Sequence, residues 1–315
     1  MKSDNLFLSV VIPAYNESKN IVPVIREMEN VISQRSDIGD HEVIVVDDHS
    51  SDDTLQKVRA LREENRRVTG IRLSRRSGSH TALRAGISQA RGDVVLCISA
   101  DGQEDPRAIG EMLEKIKSGC HLVWAVRKDR REPFLTKWLA VFAYRLIRWF
   151  VNRELSSVSL LNADFFMFSR SVAEAINRCP ERNTSLFGLM LWLGFRQETV
   201  SYERRQRLSG ASKWSFRSKM KLLADWIIAF SGIPLKGITW IGLSTAGLGF
   251  LYALFVIFYS IFVGYPFPGW AATVVLILVL GGTQMVMLGV TGEYLWRNLD
   301  ETRRRPLFFI EDSTD

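Results

Sequence analysis

The sequence has few of the residues that build zinc-stabilised or disulfide-bonded domains. It contains three cysteines and four histidines among 315 residues. These residues do not recur at the short spacings of a structural zinc site or a disulfide framework. The charged fraction of 24% is ordinary for a folded protein, which argues against wholesale disorder. The first apolar stretch, residues 6–12, is too short for a signal-peptide core, so we expect the large N-terminal domain to stay in the cytoplasm.

Charged residues are missing from one long segment. From Gly237 to Gly292, 56 residues include no Asp, Glu, Lys or Arg, whereas the residues before them carry nearly all of the charge. Two prolines and two glycines at 264–269 interrupt this segment and break a helix there. The flanking stretches 238–263 and 270–292 are each long enough to cross a hydrocarbon core of about 30 Å. This distribution excludes a purely soluble protein and a polytopic transporter, and it predicts two transmembrane helices.

Basic residues flank the two uncharged stretches, and the linker between them has no charge. The positive-inside rule therefore predicts that both termini and the large domain lie on the cytoplasmic side of the inner (plasma) membrane. The net charge of +7 then suits anionic lipid headgroups, and no nucleic-acid partner is expected. The residues behind this orientation are Lys219, Lys221, Lys236, Arg297, Arg303, Arg304 and Arg305.

Composition divides the chain into four expected parts. Residues 1–211 form the cytoplasmic domain. Residues 212–236 mix basic and aromatic side chains, as a helix lying on lipid headgroups does. Residues 237–296 contain the two transmembrane helices, and residues 297–315 form a cytoplasmic C-terminal tail.

Short apolar runs and helical patterns alternate through the first 126 residues. This alternation predicts an α/β domain whose sheet is mostly parallel and covered by helices. The predicted strands are 8–13, 42–47, 68–73, 94–98 and 122–126. The predicted helices are 22–32, 54–61, 81–90 and 106–116.

Three of the predicted strands run directly into polar segments. Binding sites in parallel sheets lie at the carboxyl ends of the strands, so we expect these segments to meet. Acids at neighbouring strand ends repel each other unless a cation or a donor-rich ligand lies between them. The segments are Pro13–Glu17, Asp47–Asp52 and Ser99–Pro106. The alternative role for their acids is helix capping, for which the candidates are Ser50, Asp52, Asp53 and Asp105.

These three segments, in this order, resemble the nucleotide-sugar domain of family 2 glycosyltransferases, which have the GT-A fold. Later segments narrow the resemblance. Residues 207–214, 292–295 and 305–308, together with the two spans, look like the polyprenyl-phosphate glycosyltransferases, which include bactoprenol glucosyltransferase and dolichol-phosphate mannose synthase. The resemblance covers nearly the whole chain and implies a Rossmann-like, mostly parallel sheet in the cytoplasmic domain.

The resemblance also implies a donor site and a metal site. Asp101 matches an acid that binds Mg²⁺ or Mn²⁺ and Gln103 a second group that reaches the metal, and such cations suit oxygen ligands. Ser99 stands where relatives usually have the first acid of the motif. The residues that match nucleotide-sugar contacts are Pro13, Ala14, Tyr15, Glu17 and Asp48, joined by Arg207 and Lys213 in a later loop. A juxtamembrane basic patch is the alternative for Arg207 and Lys213.

Three further residues match the acceptor side of the family site. Arg127 and Arg130 correspond to arginines that bind the phosphate of the acceptor lipid, with a solvated charged loop as the alternative. Asp164 corresponds to an acid near the reacting carbon and is the expected catalytic carboxylate together with Asp101.

We therefore expect an inverting hexosyltransferase that moves one sugar from a UDP-sugar to a polyprenyl phosphate on the cytoplasmic face of the membrane, with glucose as the sugar implied by the resemblance. A homo-oligomer is the expected assembly. Processive polysaccharide synthases carry a Gln-x-x-Arg-Trp motif, which this sequence lacks. The alternative from a different class is a non-catalytic membrane scaffold with an altered site, which Ser99 would favour.

Overall fold

The computed structural model divides into two compact units, Met1–Leu222 with Pro306–Asp315, and Leu223–Arg305. It describes residues 5–127, 163–182, 184–203, 205, 233–263 and 269–314.

Strands in the described part of the first unit form one sheet, and each predicted strand is present with slightly wider or shifted ends. The strands are β1 (Leu6–Ala14), β2 (Ile38–Asp47), β3 (Val68–Leu73), β4 (Val94–Cys97), β5 (Leu122–Arg127), β6 (Ala163–Ser169), β7 (Gln197–Tyr202) and β8 (Ile310–Ser313).

The sheet has the order β7-β5-β6-β4-β1-β2-β3-β8 and is mostly parallel. Strand β1 pairs in parallel with both β2 and β4, so that Val11 faces Ile44 on one side and Cys97 on the other. Strand β6 enters antiparallel between β4 and β5. The alternating pattern covers only the first 126 residues and therefore did not predict β6. The GT-A fold class is confirmed.

Helices cover the sheet where the 3.6-residue pattern predicted them, with ends that move by up to three residues. The predicted helix 106–116 begins instead with a 3-10 turn, Pro106–Ala108, because Asp105 and the proline fix its first turn. The α-helices among the described residues of this unit are α1 (Ile21–Ser33), α2 (Thr54–Glu64), α3 (Ser79–Gln89), α4 (Ile109–Lys117), α5 (Arg170–Asn177) and α6 (Leu186–Trp192).

Close packing of α3 on the sheet holds the centre of the domain together. Gly86 of α3 lies so near β1 that a Cβ there would be 2.3 Å from Val11 Cγ1 and 3.0 Å from Val46 Cγ2. A side chain at residue 86 would push the helix off the sheet, since interiors are packed to crystal density. This contact fixes α3, and the loop before it, against the carboxyl half of β1 and β2.

The residues after the second span return to the sheet of the first unit. Strand β8 pairs antiparallel with β3, and Gly70 N donates to Thr314 Oγ1 at 2.8 Å. The segment 297–315, expected to be a tail, therefore contains the end of a long helix and an edge strand. Its short run of one apolar and three polar residues gave no strand signal, because β8 is a largely exposed edge strand.

The second unit contains two long apolar helices, α7 (Ile233–Val263) and α8 (Trp270–Thr302). Each includes a stretch that is long and apolar enough to cross a membrane, Gly237–Tyr259 and Val275–Thr302. The helices pack closely at one point, where a Cβ on Gly242 would be 2.6 Å from Met287 Cε. Helix α8 continues ten residues beyond the predicted end at 292, because Glu293 and Arg297 form an i,i+4 ion pair on the helix surface.

Candidate active site

The loops after β1 and β2 are joined by hydrogen bonds at the carboxyl edge of the sheet. Asp48 N donates to Ala14 O at 2.8 Å, and Asn16 N donates to Ser50 Oγ at 2.9 Å. Asn16 and His49 have φ angles of 52° and 59°, a left-handed conformation that non-glycine residues adopt at some energetic cost. The two polar segments thus form one rigid wall of the site.

Helix capping, the alternative role for the acids, holds for some of them. Asp52 Oδ1 accepts from Thr54 N at 3.1 Å, and Asp105 Oδ1 accepts from Arg107 N at 3.0 Å. Asp53 makes no side-chain capping bond. Asp52 and Asp105 are therefore structural acids, and Asp48 and Asp101 have different partners.

Asp48 holds the loop that follows β3. Its two carboxylate oxygens accept hydrogen bonds from Ser77 N at 2.6 Å and from Gly78 N at 2.9 Å. Gly78 has a φ of 91°, which favours glycine. Burial raises the pKa of Asp48, while the two amides and the Arg76 guanidinium lower it. The residue predicted to contact the nucleotide thus also positions the basic loop beside it.

Tyr15 lies beside that same basic loop. The guanidinium carbon of Arg76 is 4.0 Å from the centre of the Tyr15 ring, a cation–π distance. Glu17 Oε2 accepts from Asn20 Nδ2 at 2.6 Å at the start of α1. Pro13 and Ala14 form the last residues of β1, so the structure brings together the predicted nucleotide contacts of β1 and β2.

The carboxyl end of β4 carries a compact polar cluster. Ser99 Oγ lies 2.8 Å from Asp101 Oδ1 and 2.6 Å from Glu104 Oε2. Burial, together with the neighbouring Asp101 carboxylate, raises the pKa of Glu104 to about 7, although the hydrogen bond from Ser99 and the Arg127 guanidinium act to lower it. Arg127, at the end of β5, is therefore close enough to act on this cluster electrostatically.

Gln103 is fixed by the backbone around it. Gln103 N donates to Asp101 Oδ1 at 3.1 Å, and Gln103 O accepts from Arg205 N at 3.0 Å. Arg205 also donates to Asp105 Oδ1 at 2.9 Å. The chain at residue 205 therefore reaches the cluster just before the predicted loop of Arg207 and Lys213.

Asp164 is the second residue of β6. Because β6 runs antiparallel to both β4 and β5, its first residues lie at the carboxyl edge of those strands. The topology thus places residue 164 at the same edge as Asp101 and Arg127. Three other predicted site residues, Arg130, Arg207 and Lys213, lie outside the described residues, as does most of the segment 212–236.

The donor atoms at the end of β4 fit a hard divalent cation. Asp101 and Glu104 offer carboxylates, Gln103 an amide and Ser99 a hydroxyl, all of them oxygen groups of the kind that Mg²⁺ and Mn²⁺ prefer. Among the described residues, no group of three His, Cys, Asp or Glu side chains converges as a metal site. Asp101 and Glu104 are the two carboxylates of this cluster, and Ser99 and Gln103 are its neutral oxygen groups.

One residue of the site, Glu104, was not predicted. Glu104 is buried in the polar cluster, and Arg76 stacks on Tyr15. The signal for Glu104 was present in the motif itself, since it lies between Gln103 and the capping residue Asp105. The contact of Arg76 with Tyr15 depends on how the loop after β3 folds back.

Comparison with known proteins identifies close relatives along the whole chain. The model of the family described as glycosyl transferase family 2 matches residues 9–176. The chain is 36% identical over 306 residues to an uncharacterised glycosyltransferase of Synechocystis sp., covering 97% of this chain and 95% of the relative. It is 33% identical over 310 residues to the bactoprenol glucosyl transferase of Shigella phage SfX, covering 96% and 98%.

Solved structures share the fold of the first unit. The mannosyl-3-phosphoglycerate synthase from Rubrobacter xylanophilus aligns with a TM-score of 0.52 at 18% identity, over 74% of this chain and 75% of that chain. The glucosyl-3-phosphoglycerate synthase from Mycobacterium tuberculosis, crystallised with Mg²⁺ and UDP, aligns with a TM-score of 0.51 at 19% identity, over 71% and 79%. At these identities the likeness concerns the fold alone.

Proposed function

The chain belongs to glycosyl transferase family 2, and on that premise we propose that it moves one sugar from a UDP-sugar to a polyprenyl phosphate at the cytoplasmic face of the membrane. The names of its bactoprenol glucosyl transferase relatives support the lipid acceptor and glucose as the sugar. The observation that carries the proposal is that Asp101, Arg127 and residue 164 lie at one edge of one sheet.

On the donor side, the wall formed by the loops after β1 and β2 holds the nucleotide. Tyr15 offers a ring face to the uracil, and Asp48 offers a carboxylate that accepts from its N3–H. Pro13, Ala14 and Glu17 shape the rest of this wall. A structural neighbour with the same fold was crystallised with Mg²⁺ and UDP, which supports a UDP-sugar as the donor.

On the diphosphate side, Asp101 and Gln103 would hold Mg²⁺ or Mn²⁺. When bound, such a cation offsets the negative charge that develops on the leaving UDP. Arg207 and Lys213 reach the same diphosphate, Arg207 by a forked contact and Lys213 as a point charge. Support for this placement comes from Arg205, whose backbone pairs with Gln103 directly before that loop.

On the acceptor side, Arg127 and Arg130 bind the lipid phosphate. An oxygen of that phosphate attacks the anomeric carbon while the bond from this carbon to UDP breaks, and the electron pair leaves with UDP. The configuration inverts because the attack comes from the opposite face. A phosphate monoester is mostly dianionic at pH 7, so no strong base is required and Asp164 acts by positioning and electrostatics.

A radiolabel transfer assay tests the proposal. Purified full-length protein with Mg²⁺ or Mn²⁺ and undecaprenyl phosphate is offered a panel of UDP- and GDP-sugars, and label in the organic extract is counted. Extractable label from a UDP-sugar is the expected result, and the labelled donor identifies the sugar. No transfer combined with no UDP binding would contradict the proposal and favour the non-catalytic scaffold.

Asp101→Ala provides the sharpest variant for this assay. Removing the carboxylate takes away a charged ligand of the cation, so we expect metal-dependent transfer to be abolished. Asp53→Ala is the matched control, because Asp53 lies in a neighbouring loop and makes no capping bond. Near-normal transfer by Asp101→Ala would contradict the metal assignment.

A further inference from the structure

The carboxyl end of β4 brings two carboxylates to a single hydroxyl group. Ser99 Oγ is within hydrogen-bond distance of Asp101 Oδ1, at 2.8 Å, and of Glu104 Oε2, at 2.6 Å. A hydroxyl has one proton to donate, so the two carboxylates share one donor at this point. Glu104 is only 6% exposed, and water therefore contributes little to the solvation of its charge.

The two carboxylates matter because a site for a divalent cation needs negative charge. A site for a divalent cation is strongest when negatively charged oxygens offset the charge of the ion. Gln103 and Ser99 contribute neutral oxygens, so Asp101 by itself brings one negative charge. Glu104 brings a second carboxylate to the same hydroxyl, on the same short loop.

We propose that Glu104 supplies the second carboxylate of the cation site. It provides a negative charge that the neutral Ser99 does not. This inference rests on the proposed function, which places the cation at the end of β4. It extends the donor set by a residue that follows Gln103 directly in the sequence.

The next residue provides a matched control. Asp105 has the same charge as Glu104, but its carboxylate caps the turn at Pro106 and pairs with Arg107 and Arg205. Removing the charge of Asp105 therefore tests whether any nearby carboxylate affects the cation, or only the Glu104 carboxylate that is hydrogen-bonded to Ser99.

Binding of Mn²⁺ to the purified full-length protein, measured by electron paramagnetic resonance of free Mn²⁺ in the presence of UDP, tests the inference without turnover. Glu104→Gln keeps the size of the side chain and an oxygen that accepts from Ser99. We expect it to weaken Mn²⁺ binding by about tenfold or more, as loss of a group that supports a metal site does. Asp105→Asn should bind Mn²⁺ as the wild type does.

A rescue variant separates a charge role from a structural one. Ser99→Asp in the Glu104→Gln background returns a second carboxylate to the cluster, so we expect it to restore most of the Mn²⁺ affinity. If Glu104 only holds the loop, Ser99→Asp will not restore binding, and Glu104→Gln will lower the unfolding temperature of the metal-free protein.

The outcomes distinguish this inference from the proposed function. If Glu104→Gln binds Mn²⁺ as tightly as the wild type, the role of Glu104 is overturned and the proposed function is not affected. The same holds if Asp105→Asn loses as much Mn²⁺ affinity as Glu104→Gln. Absence of UDP-dependent Mn²⁺ binding by the wild type contradicts the proposed function itself.

Discussion

We propose that Arg127 binds the acceptor phosphate beside the cluster at the end of β4. Its guanidinium lowers the pKa of Glu104, so its positive charge lies beside the cluster at the end of β4. It is also the last residue of β5, next to the segment that contains Arg130. A fixed positive charge at this position attracts the phosphate of an incoming lipid and brings it toward the donor.

Replacing Arg127 should therefore affect the acceptor more than the donor. Arg127→Ala is expected to raise KM for undecaprenyl phosphate by about tenfold, the usual cost of a lost hydrogen bond between charged groups, with a smaller change in KM for the UDP-sugar. Arg127→Lys keeps the charge but loses the forked geometry, so its KM for undecaprenyl phosphate should lie between those of the wild type and Arg127→Ala. A larger effect on the donor KM would move Arg127 to the donor site.

His80 shows how a buried residue makes stability depend on pH. Its Nδ1 accepts a hydrogen bond from Leu186 N at 3.1 Å, which fixes the start of α6. Burial lowers the pKa of His80 to about 4 from its ordinary 6.5. Between these values the unfolded chain binds a proton that the folded protein excludes, so the free energy of unfolding falls as pH drops from 6.5 to 4.

His80→Asn keeps an acceptor for Leu186 N but removes the titrating ring. We expect the acid-induced fall in the free energy of unfolding to be smaller in this variant than in the wild type, by up to about 3 kcal/mol. Chemical unfolding of the protein in detergent, followed at pH values from about 4 to 7, measures the slope. His49→Asn, at a histidine of the same domain whose side chain is 41% exposed, is the control. An unchanged slope in His80→Asn would show that other groups cause the acid sensitivity.

At the scale of elements, β8 connects the end of the chain to the donor wall. Glu311 Oε2 lies 3.2 Å from Arg72 Nε and 3.5 Å from His49 Nδ1. Arg72 in turn donates to Ser50 O at 3.2 Å and lies 3.6 Å from Asp47 Oδ2. The C-terminal strand thus contacts, through one carboxylate, the loop that we assign to the nucleotide.

Glu311→Gln should therefore weaken donor binding. The pair is half exposed, so the expected loss is about 0.5–1 kcal/mol, which raises KM for the UDP-sugar about twofold to fivefold with kcat unchanged. Asp312→Asn is the control, because Asp312 pairs with Arg59 on the opposite side of the strand from the donor loop. A change in kcat, or an equal effect of Asp312→Asn, would contradict a positioning role for Glu311.

At the scale of the whole molecule, strand pairing constrains the membrane topology. Strand β3 precedes both long apolar helices and β8 follows them, yet the two strands belong to one sheet. With two membrane crossings the chain returns to the side on which it started, so the pairing of β3 with β8 is compatible with the proposed topology. The cytoplasmic orientation drawn from the basic flanks stays a prediction.

Reporter fusions test this topology. A reporter that is active only outside the cytoplasm should be active when inserted in the linker at 264–268 and inactive when fused after residue 315. The opposite pattern, or activity at both positions, would contradict two crossings with a cytoplasmic catalytic domain. A fusion after residue 315 leaves β8 in place, so an inactive reporter there is not caused by loss of the sheet.

The sequence by itself determined the central strands, the helices between them and the two apolar helices. These elements have strong local signals, since buried parallel strands are continuous apolar runs and spans are long uncharged ones. It also identified the strand ends that carry Tyr15, Asp48 and Asp101. The family resemblance, by residue matching, added Arg127 and Asp164.

Only the tertiary structure decided how those residues meet. Strand β6 lies antiparallel to β4, which places residue 164 at the same edge of the sheet as Asp101. Strand β8 pairs with β3 and forms the outer strand on that side of the sheet. The contact between the Glu104 carboxylate and Ser99, which makes Glu104 part of the polar cluster, is visible only in the folded loop. Contacts between residues far apart in the chain, and the direction in which a short loop points its side chains, depend on packing rather than on local pattern.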